Sequence, residues 1–96
     1  MSQNTKITVP SNSWTLLTNS NVTACTFQIA SSAGRPVLIA GTVGAVAPLN
    51  VNGAVAYDAG EGELNVLLSD MFPGVSGANR LYAFSTRETS IFVSHA

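Results

Sequence analysis

Arg80-Leu81-Tyr82-Ala83-Phe84-Ser85-Thr86-Arg87-Glu88-Thr89-Ser90-Ile91-Phe92-Val93-Ser94-His95-Ala96 is the stretch on which the reading of this chain turns. Two aromatic and β-branched runs, Leu81-Tyr82-Ala83-Phe84 and Ile91-Phe92-Val93, flank a polar centre, which is the pattern of two strands joined by a turn. We read it as a closing β-hairpin. A lone hairpin is not stable in water, so the upstream chain must supply the surface it packs on. Alternation places Leu81, Ala83, Ile91 and Val93 in a core shared with strands around Phe27 and Ile39, and assigns Tyr82, Phe92 and His95 to the other face. A hairpin apolar on both faces is expected to be half core and half interface, so that Tyr82→Ser or Phe92→Ser weakens assembly more than folding.

Composition points the same way. The 96 residues make one domain, 1–96, and a chain this short buries only roughly 60–65% of its unfolded surface. Its hydrophobic fraction is 46% but its charged fraction is 9%, against roughly 25% in an average soluble domain. Disorder is excluded for most of the chain, because that needs low hydrophobicity with high net charge. The exterior must be Ser, Thr, Asn and apolar atoms, as on a hydroxyl-coated β protein or a subunit covered by other chains. With net charge −1 and the four basic residues Lys6, Arg35, Arg80 and Arg87 scattered, no nucleic-acid partner is expected. The single cysteine, Cys25, allows no internal disulfide or zinc site and reads as a small buried hydrophobe. Met1-Ser2-Gln3-Asn4-Thr5-Lys6 has no leader pattern. The apolar residues 36–49 fall short of the ~18 needed to span a membrane and are broken by Gly41, Gly44 and Pro48, so no membrane partner is expected.

Along the chain, Lys6-Ile7-Thr8-Val9 ending at Pro10 is an edge-type strand. Trp14-Thr15-Leu16-Leu17 follows a turn, with the spacing of a meander. Residues 22–29 put Cys25, Phe27 and Ile29 on one face. After a loop at 30–35 and Pro36, Val37-Leu38-Ile39-Ala40 is the most continuously apolar strand, expected at a sheet centre and buried on both faces. Residues 41–53 read as a long Gly/Ala/Val loop laid against a neighbour, and 54–57 as a short strand. Residues 63–68 run from a strand into a helical turn at Ser69-Asp70-Met71-Phe72, stopped by Pro73-Gly74. Residues 75–79 are expected to be a flexible connector. The fold class is therefore all-β: a small antiparallel β-sandwich or compact barrel of about eight short strands, with at most one short helical turn.

Residues with reactive potential are few. Ser94 and His95 are adjacent, so they point to opposite faces and cannot form a nucleophile–base pair. Asp58, Glu61 and Glu63 form an acidic turn without calcium-loop spacing. Asn21-Val22-Thr23 matches a glycosylation sequon, a coincidence expected in an Asn- and Thr-rich chain that is not secreted. No catalytic residue, metal or cofactor is expected. Trp14, Tyr57 and Tyr82 are left for contact, beside Val46, Leu49 and Val51 of the loop and Phe92 and His95 of the terminal segment.

Across nearly its whole length the chain resembles the small β-sandwich virion proteins of tailed bacteriophages that decorate capsids or sit at neck and tail. The likeness lies in Trp14-Thr15-Leu16-Leu17, in Phe27-Gln28 followed by a Ser/Gly loop and Val37-Leu38-Ile39, and in the Pro48 loop leading to Gly53-Ala54-Val55. It continues through Gly60-Glu61-Gly62-Glu63, Arg80-Leu81-Tyr82-Ala83 and Phe92-Val93-Ser94. The segment 68–74 is not shared across that group. The resemblance implies a non-enzymatic capsid decoration subunit, made in the host cytoplasm and residing in the virion. It would bind the major capsid protein or other virion proteins as a homo-oligomer, with a trimer favoured. A neck, tail or fibre-adaptor component and a glycan-binding host-attachment module are the alternatives.

Overall fold

The computed structural model describes residues 2–31 and 34–96, so the Ser32-Ala33 part of the expected loop lies outside the described residues. Eight strands and one helical turn follow in the order β1 (Gln3–Val9), β2 (Thr15–Leu16), β3 (Ala24–Ser31), β4 (Val37–Thr42), β5 (Val55–Tyr57), β6 (Gly62–Leu67), α1 (Leu68–Met71), β7 (Arg80–Phe84) and β8 (Thr89–His95). They form two four-stranded sheets, β1-β8-β3-β6 (sheet A) and β2-β7-β4-β5 (sheet B), with every pair antiparallel. The all-β architecture, the strand number and the single helical turn agree with the sequence.

The pairing β1 with β8, β2 with β7, β3 with β6 and β4 with β5 is that of a long antiparallel hairpin wrapped into two layers, the strand order of a jelly roll. Two expectations fail against it. Residues 80–95 are not a hairpin: β7 lies inside sheet B and β8 inside sheet A. Residues 85–88 carry the chain between the layers. Likewise β1 and β2 are not a meander, because they sit at the edges of different sheets. Alternation specifies which face a residue occupies but is silent about which strand lies next to it. Sequence neighbours pair directly only in β4–β5.

The core is one cluster filled from both sheets. Val9, Cys25, Phe27, Ile29, Ile91 and Val93 project from sheet A, and Val37, Ile39, Leu81 and Ala83 from sheet B. Each large side chain among them contributes about 1.5–3 kcal/mol by leaving water. Helix α1 plugs one end: Leu68 is fully buried and Phe72 nearly so. The Phe72 ring lies where a Cβ on Gly41 would sit, 2.5 Å away, which keeps that position a glycine. The segment 75–79 is pinned rather than loose. Asn79 donates its N–H to Thr42 O (2.9 Å), accepts from Val22 N–H (2.9 Å) and, through Oδ1, from Gly44 N–H (2.7 Å).

Edge β6 is bent by a bulge opposite β3 between Cys25 and Phe27. Asn65 takes the left-handed conformation there (φ 47°) and donates its N–H to Thr26 Oγ1 at 2.8 Å, a role suited to Asn. Edge β1 is held by a side-chain clasp. Gln3 Nε2 donates to Leu17 O (3.0 Å), and Gln3 Oε1 accepts from Asn19 N–H (2.9 Å).

Candidate functional site

Alternation across the two sheets creates four surfaces, two facing the core and two facing out. The outer face of sheet A is largely polar: Asn4, Lys6, Thr8, Gln28, Ser90 and Ser94 share it with Phe92. The outer face of sheet B is apolar over two cross-strand rows, and Thr42 opposite Arg80 forms the next row along β4 and β7. One cross-strand row runs Trp14, Phe84, Leu38, Ala56 and a second runs Leu16, Tyr82, Ala40. The Trp14 and Phe84 rings lie 5.3 Å apart between centroids at a tilted 47°, a geometry that aromatic quadrupoles favour.

This explains why Val37-Leu38-Ile39-Ala40 and Leu81-Tyr82-Ala83-Phe84 read as continuously apolar. Their odd positions are in the core and their even positions form the outer face. In β4 the second face is covered only in part, since Leu38 is half-buried while Ala40 is buried. Beside sheet B, the β4–β5 loop holds Val43, Val46, Leu49 and Val51 exposed, with Leu49 wholly so at 101% and Val46 at 69%. Val55, Leu64 and Leu67 are also exposed, so every large exposed hydrophobic among the described residues falls within residues 43–67.

The residues singled out from sequence fall in five places. Val46, Leu49 and Val51 are together on the exposed loop. Trp14 and Tyr82 are on the outer face of sheet B, but Tyr82 is already 6% exposed, so its ring is covered within the chain and the accessible part of that face is Trp14, Leu16, Leu38, Ala56 and Phe84. Phe92 is half-buried on the opposite outer face of the molecule. Tyr57 points inward, its ring edge-on to Phe27 with centroids 5.1 Å apart, and its hydroxyl donates to Glu63 Oε2 at 3.3 Å. Burial pushes the Tyr57 phenol up to about 12, reinforced by the Glu63 carboxylate.

His95 shares the parity of Ile91 and Val93, not of Phe92, and it is buried on the core side of β8; its assignment to the other face is corrected. Its Nε2 is 2.9 Å from Gln3 Oε1. That oxygen can only accept, and its identity is fixed by the Leu17 and Asn19 backbone partners, so Nε2 is the donor. The histidine is thus part of the clasp on β1. Sequence reasoning missed Leu16, Leu38, Ala56 and Phe84 as surface residues. The signal was present in the unbroken apolar runs, which require a covered second face.

The acidic turn is taken up by its own neighbours. Glu61 Oε1 accepts from Asp58 N–H at 2.8 Å, and Glu63 turns inward to Tyr57. Among the described residues no grouping of His, Cys, Asp and Glu is arranged to hold a metal ion. Cys25 is buried, which pushes its thiol up to about 11, the opposite of an activated nucleophile. A groove of about 310 Å³ opens on the outer face of sheet A, with Thr26, Gln28, Leu64 and Phe92 in its walls. At Gly62, in its lining, β6 approaches β3 so closely that a Cβ would run into the Phe27 carbonyl oxygen. Among the described residues no helix is long and apolar enough to cross a membrane. No protein-family model matches the chain, and neither does any curated protein or solved structure.

Proposed function

We propose that this chain is a non-enzymatic structural subunit of a bacteriophage virion, a capsid decoration protein that binds the outer shell as a symmetric oligomer. The observation that carries the reading is the pair of apolar rows on the outer face of sheet B together with the exposed Val43, Val46, Leu49 and Val51 of the β4–β5 loop, in a chain with a charged fraction of only 9%. Large apolar side chains left accessible on so small a domain mark a place where another protein sits. Jelly rolls recur in viral capsid domains and lectins, but a fold hosts many functions, so the surface has more weight than the topology. The mechanism is area: apolar atoms laid over junctions between shell subunits, with weak contacts multiplied by symmetry into stable attachment.

Quantification of purified particles tests this. Hundreds of copies per particle, together with attachment of the purified chain to shells lacking it, are expected. A dozen or fewer copies at one vertex would indicate the neck, tail or fibre position instead, and absence from particles would sink the proposal. A glycan-binding reading keeps one observation in its favour, the groove with Phe92 in its wall beside the polar Thr26 and Gln28, since sugars stack on aromatic faces and bond to amides and hydroxyls. A glycan array with hits lost in Phe92→Ser would establish it; an array without hits removes it.

A further inference from the structure

We infer that Asn52 is a site of spontaneous covalent modification, at which the side-chain amide ages to a carboxylate through a cyclic imide closed by the Gly53 nitrogen. No partner, particle or enzyme is required for the step.

Sequence is the first support. Asparagine is a thermolabile side chain, and of the eight asparagines only Asn52 is followed by glycine, whose missing Cβ leaves the backbone nitrogen free to reach back. Geometry is the second. Asn52 and Gly53 are both exposed, in a turn closed by Ala54 N–H donating to Val51 O at 3.2 Å. Among the described residues no hydrogen bond engages the Gly53 N–H or the Asn52 side-chain amide. Elsewhere the reacting groups are occupied. Asn21 Oδ1 accepts from Arg80 Nε (2.9 Å), and the N–H that follows it, on Val22, donates to Asn79 O (2.9 Å). Asn79 Oδ1 accepts from Gly44 N–H (2.7 Å), and Asn19 Nδ2 donates to Ser2 O (3.4 Å).

The step balances with water alone. The Gly53 nitrogen bonds to Asn52 Cγ, the Cγ–Nδ2 bond breaks, and ammonia leaves with the Gly53 amide proton. Water then opens the imide at either carbonyl, giving aspartate or isoaspartate, the latter with its backbone running through Cγ. Either product places a negative charge beside Val51 and near Leu49, within residues 36–57, which hold no charged side chain. The loop thus changes from uncharged to anionic, and covering it would then desolvate an unpaired carboxylate.

Incubation of the full chain in mildly alkaline buffer, which helps deprotonate the Gly53 amide, tests this. Mass spectrometry is expected to show one NH replaced by one oxygen, with fragment ions placing the change at residue 52 ahead of every other asparagine. Chromatography is expected to separate an aspartate form from an isoaspartate form. Gly53→Ala should slow the change at least about 10-fold, because a Cβ both hinders and stiffens the attacking backbone. The alanine suits the fold, since Gly53 lies outside the left-handed region and a Cβ there meets nothing within 4 Å. If Gly53→Ala nonetheless loses its β-sheet circular dichroism, Asn52→Gln carries the same prediction, its longer side chain having to close a larger ring. Serine follows Asn12 and Asn19, which makes those two the internal comparison. A change that falls on Asn12 or Asn19 while Asn52 stays intact overturns the inference. So do a variant that ages as fast as the wild type, and an aspartate form alone, the product of direct hydrolysis without the imide.

Discussion

Sheets A and B share one core and one alternation rule, yet their outer faces are opposites. Sheet A shows water Asn4, Lys6, Thr8, Ser90 and Ser94 around Phe92, whereas sheet B presents the half-buried Trp14, Leu16, Leu38 and Phe84, with Thr42 and Arg80 only at one end. A sheet with one core face and one wet face alternates apolar with polar, and β1 and β8 largely do so. A sheet destined to be covered twice has no reason to alternate, and β4 and β7 do not. The difference sets a mostly apolar outer face apart from a mostly polar one.

The sharpest way to break the comparison is to truncate the aromatic residue on each outer face. Tyr82→Ser, from a ring only 6% exposed, is expected to cost about 3 kcal/mol in urea unfolding, and Phe92→Ser about 1 kcal/mol, since its ring is only half-buried. Equal costs would mean that the two faces do not differ. Next comes alkaline titration, which asks whether sheet A is dry beneath its wet face. Burial raises the Cys25 thiol from 9.0 to about 11. The unfolded chain therefore releases this proton first, so stability should be flat below pH 9 and fall by about 2–3 kcal/mol as pH rises from 9 to 11. Tyr57, raised to about 12, acts in the same direction above pH 10. Cys25→Ala should flatten the lower part of that fall; an unaltered profile would mean that water reaches the inner face.

A smaller effect is expected at the clasp. Gln3→Ala removes the partners of Leu17 O, Asn19 N–H and His95 Nε2, and should cost about 1–2 kcal/mol, with hydrogen exchange rising first in β1. The smallest belongs to Thr8→Lys, an exposed strand position, whose effect on unfolding should stay within about 0.5 kcal/mol.

Much of the fold was legible because burial follows period two. The core face of Cys25, Phe27 and Ile29, the edge position of β1 and a strand-to-helix switch, read at Leu68–Ser69 and found one residue earlier, all emerge from local pattern. Partnering did not, because β1 meets β8 across most of the chain and residue periodicity has no memory at that range. One local cue existed: Ser85-Thr86-Arg87-Glu88 lacks the Asn-Gly, Asp-Gly or Gly dipeptide that a tight hairpin turn demands. The surface was half legible. Loop residues Val46, Leu49 and Val51 were identified as contact candidates from sequence, while Leu38 and Phe84 were hidden inside runs that looked like core.

Because β8 lies between β1 and β3, and β7 between β2 and β4, neither sheet can close until residues 80–95 have left the ribosome. Until then only β3–β6 and β4–β5 have their partners, and the chain exposes a half-built interior. Pairings this distant in sequence impose a high loop-closure cost and slow folding. Synthesis and folding are thus sequential here, with one of the two inner strands of each sheet, β7 and β8, following the other six.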